Sequence, residues 1–266
     1  MKQISILGCG WLGLPLAKSL LEKGFSVKGS TTSWDKIPIL NNAGIEAFQI
    51  QLSETEIKGE INLFLSNSEI LIVDIPPKLR SISSENFVKK VQNLIPFIKK
   101  SSVQKVIFIS STSVYADDNS VITEVTKPNP DSESGKQLVE AEKLLQGNAN
   151  FKTTVIRFGG LIGEDRHPIH FLAGRQNLEN AEAPINLIHQ TDCIGIIEKI
   201  IELDCWNDTF NAVATFHPIR KEYYTQKAIE LKLPLPEFAE TTSFGKIINT
   251  NKVQEELNYK FKNTTL

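Results

Sequence analysis

Residues 3–13 constrain the fold of this chain more than any other stretch. Residues 3–7 (Gln-Ile-Ser-Ile-Leu) are a short apolar run closed by glycine, which predicts a buried strand. Gly8-Cys9-Gly10-Trp11-Leu12-Gly13 follows, and then Leu14, Leu16, Ala17, Leu20 and Leu21 recur at helical spacing. Pro15 suits a first helical turn and Gly24 a C-terminal cap. In a strand, Gly-x-Gly-x-x-Gly and helix sequence, each glycine has its own reason. The first permits a tight turn, the second lets backbone approach a pyrophosphate, and the third lets helix and strand pack closely. The helix N-terminus adds unpaired N–H groups and partial positive charge. The pattern predicts a dinucleotide-binding loop at Gly8, Gly10, Trp11, Leu12 and Gly13.

The strand-then-helix rhythm continues. Strands are predicted at 25–30, more weakly at 46–52, and then at 69–75, 105–110 and 153–158. Helices are predicted over 84–100 and 134–146. Such alternation implies an α/β fold, a Rossmann-type doubly wound parallel sheet. Residues 116–133 are polar and read as a long loop of the kind that often carries function. After Gly159 the rhythm changes. The expected division is a dinucleotide-binding domain over 1–160 and a smaller substrate-side lobe over 161–266. Within the latter, residues 189–214 (a helix at 191–204, a strand at 209–213) pack back on the main sheet.

Charge and cysteine usage exclude several classes. The 266 residues carry a formal net charge of -2, so no basic face for nucleic acid is implied. No apolar run reaches the ~20 residues that cross a bilayer, and residues 1–7 lack the apolar region of a signal peptide. Cys9, Cys193 and Cys205 have neither disulfide nor metal-ligand spacing, so no metal is expected and a reducing cytoplasm fits. The 84–100 and 136–146 helices offer a face for a homodimer, although helices packed on the sheet would look the same.

The second strand ends Gly29-Ser30-Thr31-Thr32-Ser33 with no acid at its tip. NAD-selective sites usually place Asp or Glu there to hold the ribose 2′-hydroxyl. A carboxylate would repel a 2′-phosphate, whereas the hydroxyls of Ser30, Thr31 and Thr32 would accept one. The expected cofactor is therefore NADP, with NAD as the alternative. Asp74, at the end of the fourth strand, is placed to face the cleft at the carboxyl ends of the strands, with Ile75 and Pro76 beside the cofactor.

Three later segments carry a family resemblance. Ile107-Phe108-Ile109-Ser110-Ser111-Thr112-Ser113-Val114-Tyr115 resembles the "SSxxVY" segment of the epimerase/dehydratase branch of the short-chain dehydrogenases/reductases. Thr154 to Gly163 resembles that branch's strand leading into the substrate lobe, and Asn186-Leu187-Ile188-His189-Gln190-Thr191-Asp192 its later "N-x-I-H-x-x-D" segment. The glycine loop departs from the branch's usual Gly-x-x-Gly-x-x-Gly, as in atypical members. The resemblance implies an NAD(P)-dependent oxidoreductase, epimerase or dehydratase acting on a small polar, sugar-linked substrate. It assigns Ser111 and Lys136 to catalysis, Ser110, Lys136 and Phe158 to the cofactor, and Ser113, Arg166 and His167 to the substrate.

The family's chemistry pairs its lysine with a tyrosine four residues earlier, and here that position is Ser132. A phenol, with pKa near 10, can be tuned toward working pH; an aliphatic hydroxyl is a far weaker acid. Ser132 itself, Tyr115 and His167 are the candidate replacements. A retained cofactor loop without the proton donor also describes a second class of protein, a non-catalytic NADP(H) redox sensor.

Overall fold

Side chains alternate across a fully parallel sheet, and that alternation builds the core. The computed structural model describes residues 2–77 and 85–263. Seven strands form the main sheet: β1 (Gln3–Leu7), β2 (Ser26–Thr31), β3 (Glu46–Gln49), β4 (Ile70–Val73), β5 (Lys105–Ser111), β6 (Lys152–Phe158) and β7 (Thr209–Ala212). Every pairing is parallel and the spatial order is β3-β2-β1-β4-β5-β6-β7, so the direction of winding reverses between β1 and β4. Ile4, Ile6, Ile70, Ile72, Ile107 and Ile156 point to one face. Leu7, Leu71, Val73, Val106, Phe108 and Val155 point to the other. Strands buried on both faces read as nearly continuous apolar runs, as these do.

Helices cover both faces. The first face receives α1 (Gly13–Glu22) through Leu16, Ala17 and Leu20, and also α2 (Ile37–Asn42) through Leu40. The second receives α3 (Ile61–Leu65), α4 (Phe87–Lys100) and α5 (Glu133–Gln146) through Phe64, Val91, Leu94, Leu138 and Ala141. The expected start of α4 at 84 lies outside the described residues. The weak third strand is shorter than 46–52, because Gln51–Leu52 leaves the sheet to pair antiparallel with Ile57–Lys58.

Past β6 the chain leaves the sheet. Gly160–Ile162 pairs with Leu187–His189, with the short α6 (Ile169–Leu172) between them. Helix α7 (Gln190–Glu202) then lays Ile196, Ile197 and Ile200 on the first face, and β7 joins the sheet beside β6. Helix α8 (Arg220–Glu230) packs on α6 through Tyr223, Tyr224 and Ala228, which share a small core with Ile162, Ile169 and Ile185. The last helix, α9 (Asn251–Glu256), and the residues after it return to the main core through Val253, Leu257, Tyr259 and Phe261. The tail is held by Asp192. Its carboxylate accepts the Tyr259 hydroxyl at 2.8 Å, the Lys262 N–H at 2.7 Å and the Asn263 N–H at 3.2 Å. His189 caps α7, its ring nitrogen accepting the Thr191 N–H at 3.3 Å.

Among the described residues, no helix is long and apolar enough to cross a membrane, and no cluster of His, Cys, Asp or Glu could hold a metal ion.

Candidate dinucleotide site

The reversal between β1 and β4 opens a crevice at the carboxyl ends of the strands, the position where such sheets bind ligands. A cleft of about 470 Å³ lies there. Gly8, Cys9, Gly10, Trp11 and Leu12 form one wall, Ser30, Thr31, Thr32 and Lys36 one end, and Ser110, Ser111, Leu161 and Arg166 line it further on. A depression of about 650 Å³, lined by Gln104, Asn148 and Lys152 among others, sits where β5 and β6 begin. That is the wrong end of the sheet for a ligand of this fold, and it lacks the glycine loop.

The glycines divide as the motif requires. Gly8 has φ +109°, and a Cβ there would meet the Asp74 carbonyl at 2.2 Å. A Cβ on Gly13 would meet the Gly8 carbonyl at 2.2 Å. Gly10 differs: nothing lies within 4 Å of where its Cβ would be. Two glycines are therefore demanded by the protein's own packing, whereas the open side of Gly10 is room for a phosphate. The loop fits a dinucleotide on this test. Cys9 is a filler. Its sulfur packs under Gly29, where a Cβ would stand 2.6 Å away, and burial, helped by nearby Asp74, pushes the thiol up to about 12.

At the tip of β2, the Ser30 hydroxyl accepts the Gly8 N–H at 3.0 Å and the Ser30 carbonyl accepts the Cys9 N–H at 2.7 Å. Ser30 thus shapes the loop as well as lining the cleft. Thr31 accepts the Ser33 N–H at 3.2 Å, and Thr32 is exposed. The turn Trp34–Lys36 brings Lys36 to this end of the cleft, a cation that sequence spacing did not single out.

Asp74 lines the cleft below the loop. Burial raises its pKa to about 7, against the opposing effects of the Gly13 N–H and the Arg166 charge. Ile75 and Pro76 continue the same wall.

The two serines on β5 face different partners. Ser110 donates its hydroxyl to Glu142 at 2.6 Å. Glu142 is buried on α5 and forms a two-pronged ion pair with Arg157 of β6, with the Nε–Oε1 contact at 3.1 Å. Arg157 also donates to the Tyr115 hydroxyl and lies over its ring at 5.0 Å. Ser111 instead accepts the Ser113 N–H at 3.1 Å, which leaves its own proton available.

Several expected site residues lie elsewhere. Tyr115 is 2% exposed; its hydroxyl donates to Asn211 at 3.0 Å, and burial raises its pKa. It is part of the core and not a proton donor to the cleft. Phe158, also 2% exposed, packs in the first-face core rather than against a cofactor. Lys136 is exposed and does not line the cleft. Gln137, Leu138, Ala141 and Glu142 are the buried residues of α5, which leaves Lys136 and Glu140 on its outer side. Ser132 is the N-cap of that helix, its hydroxyl accepting the Gly135 N–H at 3.1 Å. Ser113 lies outside the cleft lining, with its carbonyl against Gly135.

His167 faces the lobe. Its Nδ1 accepts the Ile169 N–H at 3.2 Å and its Nε2 meets the Tyr223 hydroxyl at 2.8 Å. Burial, with the Lys227 charge, lowers its pKa to about 4, so it is neutral near pH 7 and does not serve as an acid in the cleft. Arg166 does line the cleft, stacked on Trp11 with 4.9 Å to the ring centroid.

No family model matches the chain. It is similar to protein YeeZ of Escherichia coli K12, at 32% identity over 265 residues, covering 98% of this chain and 96% of YeeZ. Among solved structures it is similar to UDP-glucuronic acid 4-epimerase from Bacillus cereus in complex with UDP-glucuronic acid and NAD. The TM-score there is 0.80 at 16% identity, over 98% of this chain and 94% of the other. A short-chain dehydrogenase/reductase superfamily protein from Agrobacterium tumefaciens with bound NAD gives a TM-score of 0.78 at 15% identity, over 98% and 92%. Its fold is shared with these two solved structures, and shared sequence along nearly the full length leads to one conclusion: the chain belongs to the family of Escherichia coli YeeZ.

Proposed function

We propose that the protein binds NADP(H) in the cleft and acts as an oxidoreductase of the epimerase/dehydratase type on a small polar, sugar-linked substrate. The observation that carries the reading is the glycine loop at the sheet's switch point, with Gly10 open toward the cleft and Ser110–Ser111 lining the same space. A bound nicotinamide would supply hydride chemistry. The backbone N–H groups of the loop would hold the pyrophosphate. Thr31, Thr32 and Lys36 would meet a 2′-phosphate, and among the described residues no carboxylate lines that end to oppose it. Ser110 has committed its proton to Glu142 and so acts as an acceptor. Ser111 keeps its proton and is the hydroxyl able to polarise a substrate carbonyl.

A specific observation favours a second reading. Among the described residues, the cleft lining contains no phenol and no imidazole, and Ser132 is occupied as a helix cap. Such a cleft suits a non-catalytic sensor whose partner binding follows the NADP/NADPH ratio, which requires differential affinity for the two forms.

Calorimetric titration with NADPH, NADP and NADH, followed by a screen of sugar nucleotides and aldehydes for NADPH oxidation, tests both. Preference for NADPH over NADH with turnover that Ser111→Ala lowers by about 100-fold supports the enzyme. Tight binding, distinct affinities for NADP and NADPH, and no turnover support the sensor. Absence of dinucleotide binding overturns both readings.

A further inference from the structure

Trp11 occupies the middle of the phosphate loop, yet its contacts belong to the opposite wall. Its indole N–H donates to Asp165 at 2.7 Å. Its backbone carbonyl accepts the Gln190 side-chain amide at 2.7 Å, at the start of α7. Its ring lies flush on Gly163, where a Cβ would stand 2.8 Å from Cζ2. Arg166 closes the stack from above, its guanidinium 4.9 Å from the ring centroid. The segment 163–166, which leads toward the substrate-side lobe, is thereby fastened to the loop that cradles phosphate.

Arg166 is held flat by the stack and lines the same cleft as Gly8, Cys9, Gly10 and Leu12. Among the described residues its guanidinium has no ion-pair partner within 4.0 Å. It is near enough to Asp74 to hold that carboxyl below where burial alone would put it. A planar cation beside a row of backbone donors matches a diphosphate, whose oxygens accept paired N–H groups. Arg166 stands out in sequence as a clamp for the substrate. Its place against Trp11 directs it to the dinucleotide.

We propose that Arg166 is a ligand of the dinucleotide's pyrophosphate, and that Trp11 ties the 163–166 segment to the glycine loop so that binding the pyrophosphate fixes the substrate-side wall. The inference rests on the dinucleotide reading, and the experiment separates the two. The wild-type chain, Arg166→Gln and Trp11→Leu are titrated by calorimetry with NADPH, NADH and ADP-ribose, which carries the pyrophosphate without nicotinamide or 2′-phosphate. Thermal melts confirm that each variant is folded, as expected for an exposed arginine.

The expected result is that Arg166→Gln weakens all three ligands by a similar factor, roughly 10- to 100-fold, the loss of a charge-assisted contact. Trp11→Leu, which removes the shelf, weakens them in parallel. In the wild type, ligand quenches part of the tryptophan fluorescence, and that part is absent in Trp11→Phe. An Arg166→Gln chain that binds all three like wild type overturns the proposal and leaves dinucleotide binding standing. A loss confined to NADPH assigns Arg166 to the 2′-phosphate, and a loss that spares ADP-ribose assigns it to the nicotinamide half; either overturns the pyrophosphate role. If the wild type binds none of the ligands, the functional reading itself falls.

Discussion

Gly8 and Gly10 sit two residues apart in one motif and answer to different masters. Gly8 combines a positive φ with a carbonyl where its Cβ would be, so Gly8→Ala strains the backbone and is expected to cost at least about 2 kcal/mol by thermal or urea unfolding. Gly10 has open space, so Gly10→Ala is expected to leave stability within about 0.5 kcal/mol while its methyl lowers NADPH affinity by tenfold or more. Equal effects on both properties at both positions would contradict the division. Asp74 gives a pH dependence whose sign follows from its raised pKa. The folded protein holds this proton more tightly than the unfolded chain. Its stabilising effect is complete below pH 3.8 and is lost as pH rises to about 7. Asp74→Asn should therefore raise the melting temperature by a few degrees at pH 8 and by little at pH 4. A gap that widens on acidification would show that the carboxyl is not held protonated. Residues such as Asp74 and the glycines were legible because strand ends and a spaced motif mark them. Lys36 was not, because nothing in the sequence shows how the turn after β2 folds back.

At the scale of elements, the strands followed directly from apolar runs, since a parallel sheet buries both faces. Helix α5 shows where reading stopped. Its position was visible, but alignment with a Tyr-x-x-x-Lys pattern put Lys136 at the site, whereas the buried stripe of Gln137, Leu138, Ala141 and Glu142 turns that lysine outward. The signal was available: Glu142 shares helical spacing with Leu138, Ala141 and Leu145, and Arg157 stands between the apolar Val155-Ile156 and Phe158 of β6. Two charges on inward faces require each other. Ser132 closes the same element. As an N-cap, Ser132→Ala is expected to cost about 1 kcal/mol in unfolding experiments while leaving NADPH affinity unchanged. A change in affinity without a change in stability would reverse that assignment. Installing tyrosine at 132 would sacrifice the cap, so the family's missing phenol cannot be added without cost to the helix.

For the molecule as a whole, the doubly wound sheet was apparent from the alternation of strands and helices, and the tail was not. The lobe expected over 161–266 returned only residues 189–214 to the sheet, yet Val253, Leu257, Tyr259 and Phe261 also belong to the main core, and Asp192 holds residues 259–263. No periodicity reveals that a short helix at the end of a chain returns to the first sheet, because the contact depends on everything folded between. His167 adds a pH effect at this scale, pinning the lobe through Tyr223. Its lowered pKa means that its contribution is complete above pH 6.5 and is lost as pH falls through about 4.

The return of the chain to β7 has a practical meaning for anyone who would cut it. Residues 1–160 resemble a self-contained cassette, and a chain stopped there keeps the whole glycine loop. It would nevertheless lose β7, and with it the neighbour that satisfies the outer row of backbone groups on β6. It would also strip α7 and α9 from the face where Ile156 and Phe158 are buried. An open, apolar strand edge invites pairing with another copy. Expression of residues 1–160 alone is expected to give aggregates by size-exclusion chromatography, where the full chain runs as a monodisperse, ligand-binding protein. The two nominal halves are woven through one another, so that neither keeps its core when the other is removed.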